Sequence, residues 1–521
     1  TKVQDLYERY LNALVGRLNE YHHTNFSERY WRIIIGPWLY PTIALLFDRW
    51  SMIDKALSEF SVDFVEIAAH DLKEVVQIDF SSIQDNSHQY NEAIYAAILK
   101  YRGGVKLRSI ETIDGPTISR KPAYTLLKRA LVNLNRLLGK RFQPNYFFHG
   151  SCLPMRAEFA INLLLRQLPT RFISPEYPFT LLSLASRESL RVDGFHEGFD
   201  GLINEIIPKI MPKIYLEGYQ QIVDSIDTYG WPKKPKLIFT SISYNFDEIF
   251  KIWTASKVEQ GSCLVIGQHG GSMGLAKSTP IEEHYTRTAD RFITWGWKNH
   301  YQNTQESVFT KLIGERPYKC DKEGGLLLLS TIISPLSYKM ISAPIGYDQS
   351  IQYQQQQQQL IDGLQPEISK RLVVRLRKDL EHRTNNHYSD TLKTRYPNLK
   401  IDFTKIPIRS ALQSSRLIVV TYNGTAMLET LFFNYPTIIL LDTSLWELRE
   451  GGERALEGLA EVGIFHEQVG SAIHFINEVW MDVDRWWYDE KTQAARRHFC
   501  NGFARMSDTP LREMKNILTK I

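Results

Sequence analysis

The segment SRLIVVTYNGTAMLETLFFNYPTIILLD, residues 415–442, carries the pattern of an anion-binding turn. Its apolar run predicts a strand ending at Thr421. Asn423, Gly424 and Thr425 then form a turn, and a helix starts near Ala426. The first N–H groups of a helix lack partners within it and carry the positive end of its dipole, which suits a phosphate. Gly424 permits close backbone approach, while Thr421, Asn423 and Thr425 add hydroxyl and amide groups. Glu429, one turn into the helix, is placed to accept hydrogen bonds from ribose hydroxyls. The same spacing also fits a strand–turn–helix in which Asn or Thr merely caps the helix.

RLVVRLRKDLEHR, residues 371–383, is a second candidate. On a strand, Arg375 and Arg377 point to the same side, with Lys378 and Asp379 at its carboxyl end. Two guanidinium groups there can clamp a nucleotide phosphate, and a solvated charged strand end fits as well. In GQHGGSMG (267–274), glycines around His269 allow a turn that pushes Gln268 and His269 into a cleft. His269 suits phosphate contact or proton transfer, and Gln268 suits acceptor contact. PIEEHYTRTADRFITWGW (280–297) adds Glu282, Glu283 and His284. Sugar transfer needs a carboxylate or imidazole near the anomeric carbon, as base on the acceptor hydroxyl or as nucleophile if configuration is retained. Asp247, opening the helix after TSISYNF, is one more candidate acid, or only a helix-dipole partner. Arg29, Trp31 and Arg32, in HHTNFSERYWRIIIGPWLY (22–40), offer ion pairing and ring stacking to an anionic or glycan acceptor, or else pack beneath the first helix.

These residues need a scaffold that brings them together. Short apolar runs at 145–151, 235–241, 262–267 and 291–297 alternate with amphipathic stretches at 155–168 and 246–257. A second series runs through 324–333, 371–377, 415–421 and 436–442. This alternation predicts an α/β fold of parallel sheets with helices on both faces. The polar, turn-rich stretch 314–324 sets the boundary. Residues 1–320 are then a Rossmann-like acceptor domain with a helical N-terminal extension, and 321–521 a Rossmann-like nucleotide-sugar donor domain with a long C-terminal helix over 479–506. Ligands of such sheets bind beyond the carboxyl ends of the strands, so donor and acceptor meet across one cleft. Residues 3–20 read as an amphipathic helix. The apolar stretch 33–47 is broken by Gly36-Pro37 and Pro41 and falls short of the ~20 residues a bilayer span needs. The glutamine run 354–359 reads as a solvated helix face.

Composition narrows the function classes. The chain has 521 residues, 43% hydrophobic and 23% charged, which excludes a disordered protein. Its net charge of +4 predicts no nucleic-acid partner, though the basic excess tolerates peripheral contact with the inner membrane. Cys152, Cys263, Cys320 and Cys500 are scattered, without a CxxC pair, which argues against structural zinc and disulfides and for the cytoplasm. P-loop, dinucleotide-fingerprint and zincin motifs are absent from the sequence; no metal and no cofactor is expected.

Four segments together, SERYWRIIIGPWL, GQHGGSMG…EEHYTRTADRFITWGW, RLRKD and TYNGTAMLETLFFNYPTI, resemble a family of transferases from bacterial O-antigen and surface-polysaccharide loci. That family is distantly similar to the capsule and lipopolysaccharide Kdo transferases, which have two Rossmann domains (the GT-B architecture) and use CMP-activated sugars. The resemblance spans nearly the whole chain. It implies a glycosyltransferase moving a nonulosonic acid (pseudaminic, legionaminic or Kdo-like) from CMP to a glycan or lipid-linked oligosaccharide. It also implies that Asn423, Thr425, Glu429 and Arg375 to Asp379 lie on the donor side. His269, Glu282, Glu283 and His284 then lie on the acceptor side. Where related capsule enzymes carry His-Pro, this chain has Arg377-Lys378. A UDP-sugar transferase, a nucleotide-sugar epimerase of the same fold and a non-catalytic polysaccharide-assembly protein are the alternatives.

Overall fold

The computed structural model describes residues 2–68, 71–84, 87–110, 133, 143–169, 174–179, 183–316, 319–333, 345–376, 388–403 and 408–521. Three parallel sheets organise them. The smallest pairs β1 (Phe64–Ala68) with β2 (Lys106–Ile110). The next holds β3 (Tyr146–Phe148), β4 (Leu237–Thr240), β5 (Cys263–Gly267), β6 (Arg291–Thr294) and β7 (Thr304–Glu306), side by side in chain order. The third holds β8 (Gly325–Leu329), β9 (Leu372–Arg375), β10 (Lys400–Asp402), β11 (Ser415–Val420), β12 (Thr437–Leu440) and β13 (Phe465–His466). Its order is β10-β9-β8-β11-β12-β13, every pair parallel. This is the doubly wound order, and it reverses between β8 and β11, where such sheets open a crevice for ligands.

The strands form because their apolar runs are buried on both faces. Leu326 to Leu329 and Leu417 to Val420 are enclosed along their whole length, as helices on both sides require. The α/β class and parallel sheets expected from the sequence are what the chain builds. The N-terminal helix Lys2–His22 buries Tyr7, Tyr10, Leu11, Leu14 and Leu18. The helix after it departs from expectation. Glu28–Glu59 is continuous through Pro37 and Pro41, which the sequence reading took as breaks. Every residue from Tyr30 to Ile43 is buried, so packing on all sides outweighs the missing N–H groups. The Thr42 hydroxyl donates to the Trp38 carbonyl at 2.7 Å within that stretch. Gly36 brings the helix against the His284 ring; a Cβ there would lie 2.3 Å from its Cε1.

The aromatic C-terminal stretch is not one long helix either. It divides into Val483–Trp487 and Glu490–Phe503, and the side chains of Asp482 and Asp489 accept from Arg485 N (3.2 Å) and Lys491 N (2.9 Å) at the two starts. The last helix, Pro510–Thr519, packs back on the first large sheet, its Met514 and Leu518 buried with Phe148, Ile161 and Val265. Among the described residues, no helix is long and apolar enough to cross a membrane.

Candidate functional site

The β8–β11 reversal carries the turn that the sequence singled out. β11 ends at Val420, and the helix Thr425–Phe432 starts five residues later with Gly424 extended before it. Asn423 is 7% exposed, and its side-chain Oδ1 has no hydrogen-bond partner among the described residues. A buried amide oxygen without a donor is costly, so this atom is an acceptor awaiting one. Thr421 behaves differently. Its hydroxyl meets Tyr353 Oη at 2.7 Å and the Leu329 carbonyl at 3.1 Å, tying β11 to β8 and to the glutamine-rich helix Tyr347–Asp362.

The loop after β5 faces this turn from the other sheet. Gln268 shapes it: Oε1 accepts from Trp295 N and Trp297 Nε1, both at 2.9 Å, and Nε2 donates to the Gly270 carbonyl at 2.8 Å. Gln268 is fully buried and its amide is spent within the protein, which corrects its expected acceptor role. Gly271 N–H donates to Thr425 Oγ1 at 3.2 Å. A Cβ on Gly271 would lie 2.6 Å from the Gly424 carbonyl carbon and from Thr425 N, so only glycine lets the two backbones approach this closely.

Two residues earlier, His269 Nδ1 lies 3.4 Å from the Tyr285 hydroxyl, which donates to Asn245 Oδ1 at 2.7 Å. Burial, helped by the Lys311 ammonium, lowers the His269 pKa to about 4, so its imidazole is neutral at pH 7. Lys311 also pairs with Glu429 at 2.6 Å across the two halves. It opposes the burial that raises the Cys152 thiol. His269, Lys311, Glu429, Thr425 and Asn423 thus gather where the two sheets face each other. The arrangement brings a neutral imidazole, a cation and a helix amino end to the junction of the two sheets.

Other expected residues do different work. Glu282 is buried and accepts from Gly274 N (3.0 Å), the Thr279 hydroxyl (2.8 Å) and Arg449 (2.8 Å). Arg449 belongs to the other half, and backbone bonds Arg449 N to Leu275 O and Lys277 N to Glu447 O, both 2.9 Å, run beside it. Glu282 is therefore half of a latch, not an acid facing the cleft. Glu283 pairs with Arg287 at 2.7 Å and accepts from the Tyr301 hydroxyl. His284 is buried between the hydroxyls of Tyr7 (3.1 Å) and Tyr244 (2.8 Å), and burial holds its pKa well below the usual value. That corrects the catalytic role expected of it: the ring joins the N-terminal helices to the helix Pro280–Thr288.

Asp247 caps the helix Glu248–Glu259, accepting from Phe250 N at 3.0 Å. Burial pushes its carboxyl up, but hydrogen bonds from His149 Nε2 (3.0 Å) and the Ser174 hydroxyl bring it below the usual range. Arg375 is buried in an ion pair with Asp402 of the neighbouring strand β10. Arg377 and Lys378 lie outside the described residues. The acceptor role expected of Arg29, Trp31 and Arg32 is corrected as well. Arg29 donates to Thr288 O (2.9 Å) and Asp290 (2.7 Å), and Trp31 is fully buried with Nε1 on Asn19 Oδ1 at 2.9 Å. Arg32 is enclosed by Glu8 and Glu28. Trp31 and Arg32 hold the N-terminal helices together, and Arg29 ties them to the segment before β6. Sequence reasoning missed Lys311, Arg449, Tyr285 and His149. Only His149, at the end of a strand and before Gly150, had a local signal. Among the described residues, no three His, Cys, Asp or Glu side chains converge as metal ligands would.

The family model of the LIC12162 family transferases matches residues 1–518. No curated protein matches the chain. Among solved structures, TarM is similar at 10% identity and a TM-score of 0.34, over 54% of this chain and 54% of its own, so the chain spans about half the length of that relative. MurG of Acinetobacter baumannii is similar at 12% identity and a TM-score of 0.33, over 88% of this chain and 100% of its own. MnaA of S. aureus, solved with UDP, is similar at 12% identity and a TM-score of 0.37, over 89% of this chain and 98% of its own.

Proposed function

The chain belongs to the LIC12162 family of transferases, and we propose that it moves a glycosyl group from a nucleotide-activated donor to a glycan acceptor across the cleft between its two large sheets. One observation carries this reading: the unpartnered Asn423 amide oxygen sits beside the amino end of the helix Thr425–Phe432, at the reversal point of a doubly wound sheet. That end suits the phosphate of the donor, with Lys311 adding positive charge and Glu429 accepting from ribose hydroxyls. Asn423 then accepts a donor N–H or O–H of the nucleotide.

His269 is the base. Its neutral ring takes the proton of the acceptor hydroxyl as that oxygen bonds to the anomeric carbon. The bond from anomeric carbon to phosphate oxygen breaks, and the nucleotide leaves with the electron pair. Charge on the leaving phosphate is met by the helix amino end and Lys311, so the step uses no metal. The donor in this reading is a CMP-activated nonulosonic acid (pseudaminic, legionaminic or Kdo-like), supported by the resemblance of the four sequence segments. The acceptor is a bacterial surface glycan or its lipid-linked precursor.

Nucleotide release from CMP-sugars and from UDP-sugars, each with a surface-glycan acceptor, tests the reading. The expected result is release of CMP, with CMP raising the melting temperature more than UDP does. Release from UDP-hexoses alone would overturn the donor assignment, and turnover with neither class would overturn transfer itself.

A further inference from the structure

We infer that the outer face of the helix Met155–Leu164 is a docking surface for an anionic lipid bilayer. Its inner face is ordinary core: Ala157, Ile161 and Leu165 pack with Met514 and Leu518 of the terminal helix. Its outer face is not. Phe159 is 55% exposed, Leu163 54% and Met155 71%, and Leu168, just past the helix, is 53% exposed. Residues 155, 159 and 163 recur every four positions, so their side chains form one stripe along the helix. Large apolar side chains gathered on one exposed face mark an interaction surface, whereas scattered ones do not.

The rim chooses the partner. Arg156 and Arg166 are exposed on and just after this helix, and Arg512 and Lys520 are exposed on or just beyond the terminal helix packed against it. The acids of the two helices are engaged elsewhere. Glu158 accepts from the Ser151 hydroxyl, and Glu513 pairs with Arg505 at 2.8 Å. An apolar stripe rimmed by cations, with the acids of its helices already paired, complements acyl chains and anionic headgroups together.

The surface begins beside the cleft. Cys152, three residues before the helix, lies within electrostatic reach of Lys311, which pairs with Glu429 across the two halves. A bilayer on this face therefore lies on the side of the molecule near the Lys311–Glu429 pair. Docking itself stands on exposure and charge. Its use, presenting a lipid-linked acceptor, rests on the transfer reading above.

Sedimentation of the full chain with vesicles of phosphatidylcholine, with and without phosphatidylglycerol, tests the docking. The chain is expected to sediment with the phosphatidylglycerol vesicles and to release as salt rises. A Phe159→Ser, Leu163→Ser double variant is expected to lose binding about tenfold or more, from the lost insertion of apolar area. An Arg156→Glu, Arg512→Glu variant is expected to lose about tenfold or more through charge alone. These side chains are exposed, so unchanged melting of both variants checks that the fold is intact. Absence of binding by the unmodified chain, or binding that both variants keep, would overturn the proposal. So would self-association that the first double variant abolishes while no vesicle is bound, because the face would then belong to a second copy. None of these readouts uses turnover, so failure here is distinct from failure of the transfer reading.

Discussion

The backbone N–H of Gly271 donates to the Thr425 hydroxyl at 3.2 Å, joining the loop after β5 to the amino end of the helix after β11. The contact fixes the distance between the proposed base, His269, and the proposed phosphate seat. It survives only while residue 271 has no side chain. In a Gly271→Ala variant the added Cβ meets backbone at 2.6 Å on the opposite strand-end, and backbone cannot rotate away. The expected outcome is a stability loss of about 1–3 kcal/mol by urea denaturation, with weakened nucleotide binding by calorimetry. Unchanged stability and affinity would show that the two halves do not hold this contact.

Arg449 and Glu282 form the second tie between the halves, at 2.8 Å, with the carboxylate buried. Arg449→Met leaves that carboxylate without its counter-ion, and the expected cost is ~3 kcal/mol by urea denaturation. Gly274 N and the Thr279 hydroxyl still reach Glu282, which places the loss at the lower end for a buried pair. Adding Glu282→Gln should recover part of it, because the stranded charge is then gone.

Lys311 depresses the His269 pKa, in addition to the larger effect of burial. Lys311→Met should therefore raise it above its value of about 4, incompletely, since burial remains. An NMR titration of the His269 ring reads this directly. A shift that stays in place would separate Lys311 from the site.

Stability should fall as pH drops from 6.5 towards 4. Burial holds His22 and His269 at about 4, and His284 well below its ordinary value. In that window the unfolded chain takes up protons that the folded chain refuses, so acid favours unfolding. Glu248, whose buried carboxyl is pushed up to about 7, works in the opposite sense between 4.5 and 7. His466 is lowered by burial as well, and one carboxyl against four histidines leaves the acid-side loss dominant. Melting temperature measured from pH 7.5 to 4.5 checks the sign.

Much of this architecture was legible because strand cores are written as continuous apolar runs. Leu326 to Leu329 and Leu417 to Val420 admit few other readings once turn residues bound them. The Asn423–Thr425 turn was legible for the same reason: a glycine between a strand and a helix is a local signal. What escaped was set by partners far along the chain. Arg29 looks free in sequence, yet its partner is Asp290; Arg32 finds Glu8, and His284 finds Tyr7 and Tyr244. Pro37 and Pro41 sit within a helix because the surrounding core outweighs their local preference. Lys311 and Arg449 belong to no motif, since their roles exist only where the two halves meet.

Co-crystallisation with CMP locates the nucleotide directly. The predicted result is a phosphate within hydrogen-bond reach of the backbone amides at Thr425 and Ala426, with the Asn423 amide oxygen accepting from the same ligand. A nucleotide seated anywhere else, or kept out by the close approach of Gly271 to Gly424, would contradict it.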